Sequence, residues 1–231
     1  MSSVPDVEAA APRPPIAVPV APTPAWYRIA KRVLDLGASG LALLVASPVM
    51  ALITAAVRVE SPGPILFRQE RISLGGRPFT VLKFRSMDAA ADEEEHRAYV
   101  SRLLRGDPAG PPGQTWQPIA ADRRVTRVGS FLRRSHLDEL PQLLNILRGD
   151  MSLVGPRPPI PYEVELYEPW HLRRLAVIPG LTGLWQATAW GKLSFDEGVR
   201  LDLEYVDRRS FGLDLWILLR TAWQILTGRQ F

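Results

Sequence analysis

Cysteine is absent from the 231 residues, which excludes disulfide bridges and thiolate chemistry. Histidine is scarce: His96, His136 and His171 stand far apart, without the spacing a zinc site requires. A strong charge of one sign is also missing. The net charge is +4 and the pI about 9.7, an excess that suits anionic partners in general. The arginines are interleaved with acids and no recognisable nucleic-acid module is present, so nucleic acid is not an expected partner. No basic stretch leads directly into an unbroken apolar run at the start of the chain, so no signal peptide is expected. Internal repeats are absent too. What is there suffices for one domain with a sizeable core.

Residues 1–25 carry Pro5, Pro12, Pro14, Pro15, Pro19, Pro22 and Pro24 among alanines and valines. Proline removes backbone donors and favours extended chain, so this segment reads as a disordered tail. The long hydrophobic run is 36–57, 22 residues without a charge, enough to span a bilayer as a helix. Ser47-Pro48 sits near its middle, where proline deletes a helical hydrogen bond and bends the axis. Arg28, Lys31 and Arg32 precede the run and Arg58, Arg68 and Arg71 follow it, so both ends favour the cytoplasmic side. A broken helix over 26–60 that enters one leaflet and turns back at Ser47 and Pro48 meets both conditions. Each arm of about 11 residues, at a rise of about 1.5 Å, reaches roughly half the hydrocarbon depth. A spanning helix with a proline kink is the alternative. Near the C-terminus, Trp216, Trp223 and Arg220 among leucines suit an interfacial helix, and packing on the core explains the pattern equally well.

Between these elements the chain reads as mainly α with a small β-hairpin. Ile65-Leu66-Phe67-Arg68-Gln69 and Phe79-Thr80-Val81-Leu82-Lys83-Phe84 are short strands around Gly75-Gly76. Residues 89–104 read as an exposed helix and 106–113 as a Pro/Gly loop. A short helix is expected over 141–147, closed by Gly149. Further helices are expected around 163–175 and 195–207, with a turn at Pro179-Gly180 between them.

Chemistry concentrates in Ser135-His136-Leu137-Asp138-Glu139-Leu140-Pro141-Gln142, where two adjacent carboxylates follow Arg133 and Arg134 and precede a helical run. Helix N-termini favour carboxylates and phosphates alike. Ser135-x-x-Asp138 also matches a capping box, in which Asp138 only caps backbone donors. Two other stretches weigh against that plain role. Lys83-Phe84-Arg85-Ser86-Met87 places cations at a strand end, and Gly155-Pro156-Arg157-Pro158 holds Arg157 on a backbone with little freedom. A guanidinium fixed in that way suits bidentate phosphate recognition.

Seven stretches in the expected order carry a closer likeness. They are Lys31-Arg32-Val33-Leu34-Asp35, the Ser47-Pro48 break, Phe67-Arg68-Gln69-Glu70-Arg71, Lys83-Phe84-Arg85-Ser86-Met87, Leu137-Asp138-Glu139-Leu140-Pro141-Gln142, Gly149-Asp150-Met151-Ser152 with Gly155-Pro156-Arg157-Pro158, and Pro179-Gly180-Leu181-Thr182-Gly183. Across about residues 28–228 the chain resembles the bacterial sugar transferases, the monotopic polyprenyl-phosphate hexose-1-phosphate transferases or phosphoglycosyl transferases. The resemblance implies a UDP-sugar and a polyprenyl phosphate as substrates, release of UMP, and Mg²⁺ as cofactor. It implies Asp138 as nucleophile, Glu139 as the Mg²⁺ ligand, and Lys83, Arg133 and Arg157 around the phosphates. It further implies a monotopic protein on the cytoplasmic face of the bacterial inner membrane, with 61–231 as the catalytic part and a homodimer as a compatible assembly. After Trp185-Gln186 many relatives continue with a small-Gly-Arg motif, whereas here the chain reads Ala187-Thr188-Ala189-Trp190-Gly191-Lys192. The Gly183-Leu184-Trp185-Gln186 wording is closer to relatives using glucose or galactose. A membrane-anchored scaffold without catalysis is the competing expectation.

Overall fold

The structure, a computed structural model, describes residues 18–87, 124–189 and 193–227. The helix expected over 89–104, the loop at 106–113 and Lys192 lie outside the described residues.

Helix α1 runs over Ala25–Glu60. Among the described residues it is the one helix long and apolar enough to cross a membrane, and only 11% of its most apolar window is buried. A core helix of that length would be mostly covered. Its buried residues fall in two groups, Tyr27, Asp35 and Ser39 on the first arm and Ile53 and Val57 on the second. Between them Leu41, Leu44, Val45, Val49 and Leu52 are exposed. Helical structure continues through Pro48, where the sequence led us to expect a break. Pro48 has no N–H to offer the carbonyl of Leu44, and the Ser47 hydroxyl donates to that carbonyl instead, at 2.8 Å. The Ser-Pro pair thus satisfies the carbonyl that the proline ring leaves open.

Strands β1 (Leu66–Ile72) and β2 (Pro78–Phe84) form the expected antiparallel hairpin, Leu66 opposite Phe84 and Ile72 opposite Pro78. Its turn uses Gly75 and Gly76 at φ 67° and 84°. Helix α2 (Arg127–Ser135) starts at Thr126, whose hydroxyl accepts from the Gly129 amide. A 3₁₀ turn (Leu137–Glu139) leads into α3 (Gln142–Arg148), which Gly149 closes at φ 95°.

Two expectations for the chain after α3 also needed correction. Gly180 opens a strand rather than serving only as a turn: β3 (Ser152–Val154) pairs in parallel with β4 (Gly180–Thr182), a second sheet beside the hairpin. Three-residue strands carry no periodicity to read. Around 163–175 there is no continuous helix but α4 (Pro161–Glu165) and a 3₁₀ segment (His171–Ala176), with Pro169 between them. Helix α5 (Leu184–Ala189) follows β4, then α6 (Phe195–Arg208), whose capping box pairs Ser194 with Glu197, and α7 (Phe211–Thr227). Helix α7 buries Asp214, Ile217 and Gln224 but exposes Leu219, Trp223 and Leu226, so it packs on the body with one face and leaves the other apolar. Residues 18–24, counted with the tail above, lie against the body. The Ala21 amide donates to the Ala176 carbonyl at 2.9 Å, and Arg209 holds Pro22 and Thr23.

Candidate active site

Asp138 and Glu139 sit on the 3₁₀ turn between α2 and α3. The pivot is His136, the one non-glycine residue with positive φ among the described residues (φ 56°, ψ 14°). This left-handed residue ends α2 and turns the chain sharply into the carboxylates. The capping box considered from the sequence does not form: the Ser135 hydroxyl donates back to the Phe131 and Leu132 carbonyls, and the turn has no side-chain cap. Asp138 is thereby released from a capping role.

The flanking helices are braced from both ends of α1. Arg32 donates to the Ile146 and Leu147 carbonyls at 2.6 and 2.8 Å, capping the C-terminus of α3 with a cation. Glu60 receives the Val128 amide at 3.1 Å, which places a carboxylate at the N-terminus of α2. Asp35 accepts from the Ser152 hydroxyl and the Leu153 amide, at 3.0 and 2.9 Å, fixing β3 against the first arm.

Lys83 reaches the carboxylates because Asn145 of α3 docks on the backbone of β2. Its amide accepts from Leu82 N at 3.0 Å and donates to Thr80 O at 2.7 Å, as a neighbouring strand would. Lys83 Nζ then lies 2.8 Å from Glu139 Oε1. Arg85, next but one, goes elsewhere: it holds Ser61 and Pro62 at the end of α1. Arg133 Nε donates to the Ser86 hydroxyl at 2.9 Å. That contact needs α2 to approach very closely, since a Cβ on Gly129 would fall 2.0 Å from the Ser86 carbonyl oxygen.

The two carboxylates differ in their electrostatics. Asp138 is only 9% exposed, and burial raises its pKa, with Glu139 adding to the rise while Lys83, Arg133 and His136 oppose it. Burial acts on Glu139 in the same sense, but Lys83, by charge and hydrogen bond, with His136 and Arg157, outweighs it and brings its pKa below the usual range. The structure thus brings Lys83, Arg133, Asp138 and Glu139 together, with Arg157 close enough for its charge to act on Glu139. Pairs of acids whose environments push them apart are the usual signature of divided roles.

Among the described residues no group of three or more His, Asp or Glu could hold a metal ion. Two hard carboxylates are present, and Mg²⁺ ordinarily takes one or two together with substrate phosphates, so the donor set fits that ion. The sequence did not single out Asn145, Arg32, Glu60 or Asp35 as builders of the site. Only the Lys31–Asp35 motif hinted at two of them.

A long, apolar and mostly uncovered helix braced against a cluster of carboxylates and cations is the outline, and comparison with known proteins supplies the class. The Bacterial sugar transferase family matches residues 26–228, and the chain belongs to that family. Several of its relatives are named as undecaprenyl-phosphate sugar-phosphate transferases, so the chain is an enzyme of the phosphoglycosyl transferase class. The UDP-glucose:undecaprenyl-phosphate glucose-1-phosphate transferase of Caulobacter vibrioides is 42% identical, over 85% of this chain and 70% of its own length. Exopolysaccharide production protein ExoY of Rhizobium meliloti is 41% identical, over 87% of both chains. Galactosyl transferase CpsE of Streptococcus agalactiae is 38% identical over 87% of this chain, which spans 43% of that relative.

Proposed function

We propose that the protein transfers a hexose-1-phosphate from a UDP-sugar to a polyprenyl phosphate, an early membrane step in the synthesis of an exopolysaccharide or other surface glycan. The relatives named as UDP-glucose:undecaprenyl-phosphate glucose-1-phosphate transferases support this donor and acceptor. With the galactosyl transferase they support glucose or galactose as the sugar, while one relative is named for UDP-N-acetylgalactosamine. In the first step an Asp138 carboxylate oxygen attacks the sugar-proximal phosphorus. The bond from that phosphorus to the bridging oxygen breaks, UMP leaves with the electron pair, and a phosphosugar remains on the carboxylate. In the second step the lipid phosphate oxygen attacks the same phosphorus and the Asp138 carboxylate departs, regenerated. A carboxylate attacks as an anion without a general base deprotonating it in the step, so no separate base is required.

The obstacle is repulsion. Two unit charges about 4 Å apart interact by about 4 kcal/mol at an effective dielectric of about 20. Lys83, Arg133 and Arg157 offset that and favour the departing UMP. Mg²⁺, held by Glu139, would supply further neutralisation of the diphosphate when bound. The observation that carries this reading is the unequal carboxylate pair: a buried Asp138 with no capping duty beside a Glu139 already engaged by Lys83.

We further read α1 as re-entrant, bent at Ser47-Pro48, with the protein on the cytoplasmic face of the cell membrane. Both arms rest on one globular body, whereas a spanning helix would carry its second end to the far side. Cysteines placed before Lys31 and after Arg58, in this cysteine-free chain, should both react from the cytoplasmic side alone. Labelling of one from outside would overturn the topology. For the chemistry, incubation with UDP-glucose or UDP-galactose and Mg²⁺ but no lipid should leave a phosphosugar on Asp138, detectable by mass. Asp138→Asn should abolish both adduct and turnover. A variant that still turns over would remove Asp138 as nucleophile.

A further inference from the structure

Pro156, Arg157, Pro158 and Pro159 have almost no backbone donors of their own, yet all four carbonyls are taken. Gly180 N donates to Pro156 O and Ile72 N to Pro159 O, both at 2.9 Å. Arg71 Nη1 donates to Pro158 O at 2.9 Å, and Arg174 Nη2 to Arg157 O at 3.4 Å. The last two donors are guanidiniums, and both are buried.

Burying a cation is costly unless its remaining donors are engaged, and here most are. Arg71 Nε and Nη2 bond Gln69 Oε1 at 3.0 and 2.6 Å. Arg174 Nη1 bonds the Tyr167 hydroxyl at 2.8 Å, and its Nη2 pairs with the buried carboxylate of Asp202. Two buried cations therefore converge on one short loop whose only charged side chain is Arg157. Pro156, Pro158 and Pro159 are buried, so their carbonyls need partners from the protein; for Pro156 and Pro159 a backbone amide serves, whereas Arg157 and Pro158 are held by guanidiniums. Burial, and next the charge of Arg157, push Arg71 down to about 10, which leaves it a cation at neutral pH and places it within reach of Arg157.

We propose that Arg71 and Arg174, the latter anchored by Asp202, are positioning residues for Arg157. They hold its backbone from both sides, so that its guanidinium is already oriented beside Glu139 when a phosphate arrives. A preset cation needs no reorganisation as charge develops on the leaving group. This inference rests on the reading above that Arg157 meets the substrate's phosphates.

The test is a double-mutant cycle on the full chain in detergent, with polyprenyl phosphate and whichever of UDP-glucose or UDP-galactose the parent protein turns over. UMP release gives kcat and KM, and thermal unfolding gives the folded fraction. Arg174→Ala should lower kcat per folded enzyme roughly 10- to 100-fold, as a misplacement of about 1 Å does. Arg174→Lys, which keeps charge but loses the fork, should recover little of it. In the Arg157→Ala background, Arg174→Ala should cost almost nothing more. Losses that multiply instead, or a kcat per folded enzyme unchanged by Arg174→Ala, would overturn the positioning role while leaving Arg157 in place. Full activity in Arg157→Ala would overturn the phosphate reading of Arg157, and the positioning role with it. Should Arg174→Ala fail to fold, Arg71→Lys carries the same cycle with the same two outcomes.

Discussion

Two lysine–carboxylate pairs of nearly equal length sit in different parts of this molecule. Lys31 lies 2.9 Å from Asp214, joining α1 to α7, and Lys83 lies 2.8 Å from Glu139 at the candidate site. Asp214 is fully buried and also accepts from the Tyr27 and Tyr205 hydroxyls, at 2.8 and 2.7 Å. Lys83 and Glu139 keep 28% and 33% of their side chains in solvent, and among the described residues no buried hydroxyls close around the pair. The same chemistry therefore yields a fixed joint in one place and an exchangeable contact in the other. A pair open to water is worth at most about 1 kcal/mol, so a phosphate or a metal ion can replace either partner at little cost. A closed pair cannot be opened without leaving a charge stranded.

The contrast breaks most sharply at Asp214. Asp214→Ala removes the charged acceptor that Lys31 and the Tyr27 and Tyr205 hydroxyls share, and should destabilise the protein by about 3–5 kcal/mol, read from chemical unfolding in detergent. A loss below about 1 kcal/mol would mean that the joint is no more than the contact at the site.

Lys83→Met should do the opposite. Stability should change by less than about 1 kcal/mol, while kcat falls about 100- to 1000-fold, as for loss of one oriented cation or donor. Because Lys83 is the main influence holding down the raised pKa of Asp138, the acid limb of the kcat/KM profile should move to higher pH in this variant. An unmoved limb would detach Lys83 from Asp138.

The smallest effect concerns Asp138 itself. A carboxyl whose folded pKa is raised contributes stability that is full below the ordinary carboxylate pKa and is lost as pH rises through the raised value. Asp138→Asn should therefore be no less stable than the parent at neutral pH, with a flatter dependence in the acid range. Destabilisation would assign Asp138 a structural duty.

Much of the candidate site was legible because its chemistry lies in local motifs. Asp138 and Glu139 are neighbours, Lys83 ends a readable strand, and Arg157 stands between prolines. The hairpin was legible for the same reason, its glycines lying between its two strands. What escaped was held by partners distant in sequence. Asn145 bonds Leu82 across 63 positions, Asp35 bonds Leu153 across 118, and Arg71 meets Pro158 across 87. None of these residues has a pattern around it that names its partner. The parallel pairing of β3 with β4 escaped likewise, since two three-residue strands separated by a helix and a 3₁₀ segment leave no alternation to follow. The capping box was a local signal that proved empty, because His136 turns the backbone before Asp138 can fold back.

Arg32 and Glu60 stand at opposite ends of one helix and grip the outer ends of the two helices that carry the carboxylate turn. Trimming away 25–60 to obtain a water-soluble enzyme would thus amount to removing the vice along with the bench. The remaining fragment would keep every reactive side chain and lose the alignment between them, so solubility and competence cannot be separated by a simple cut.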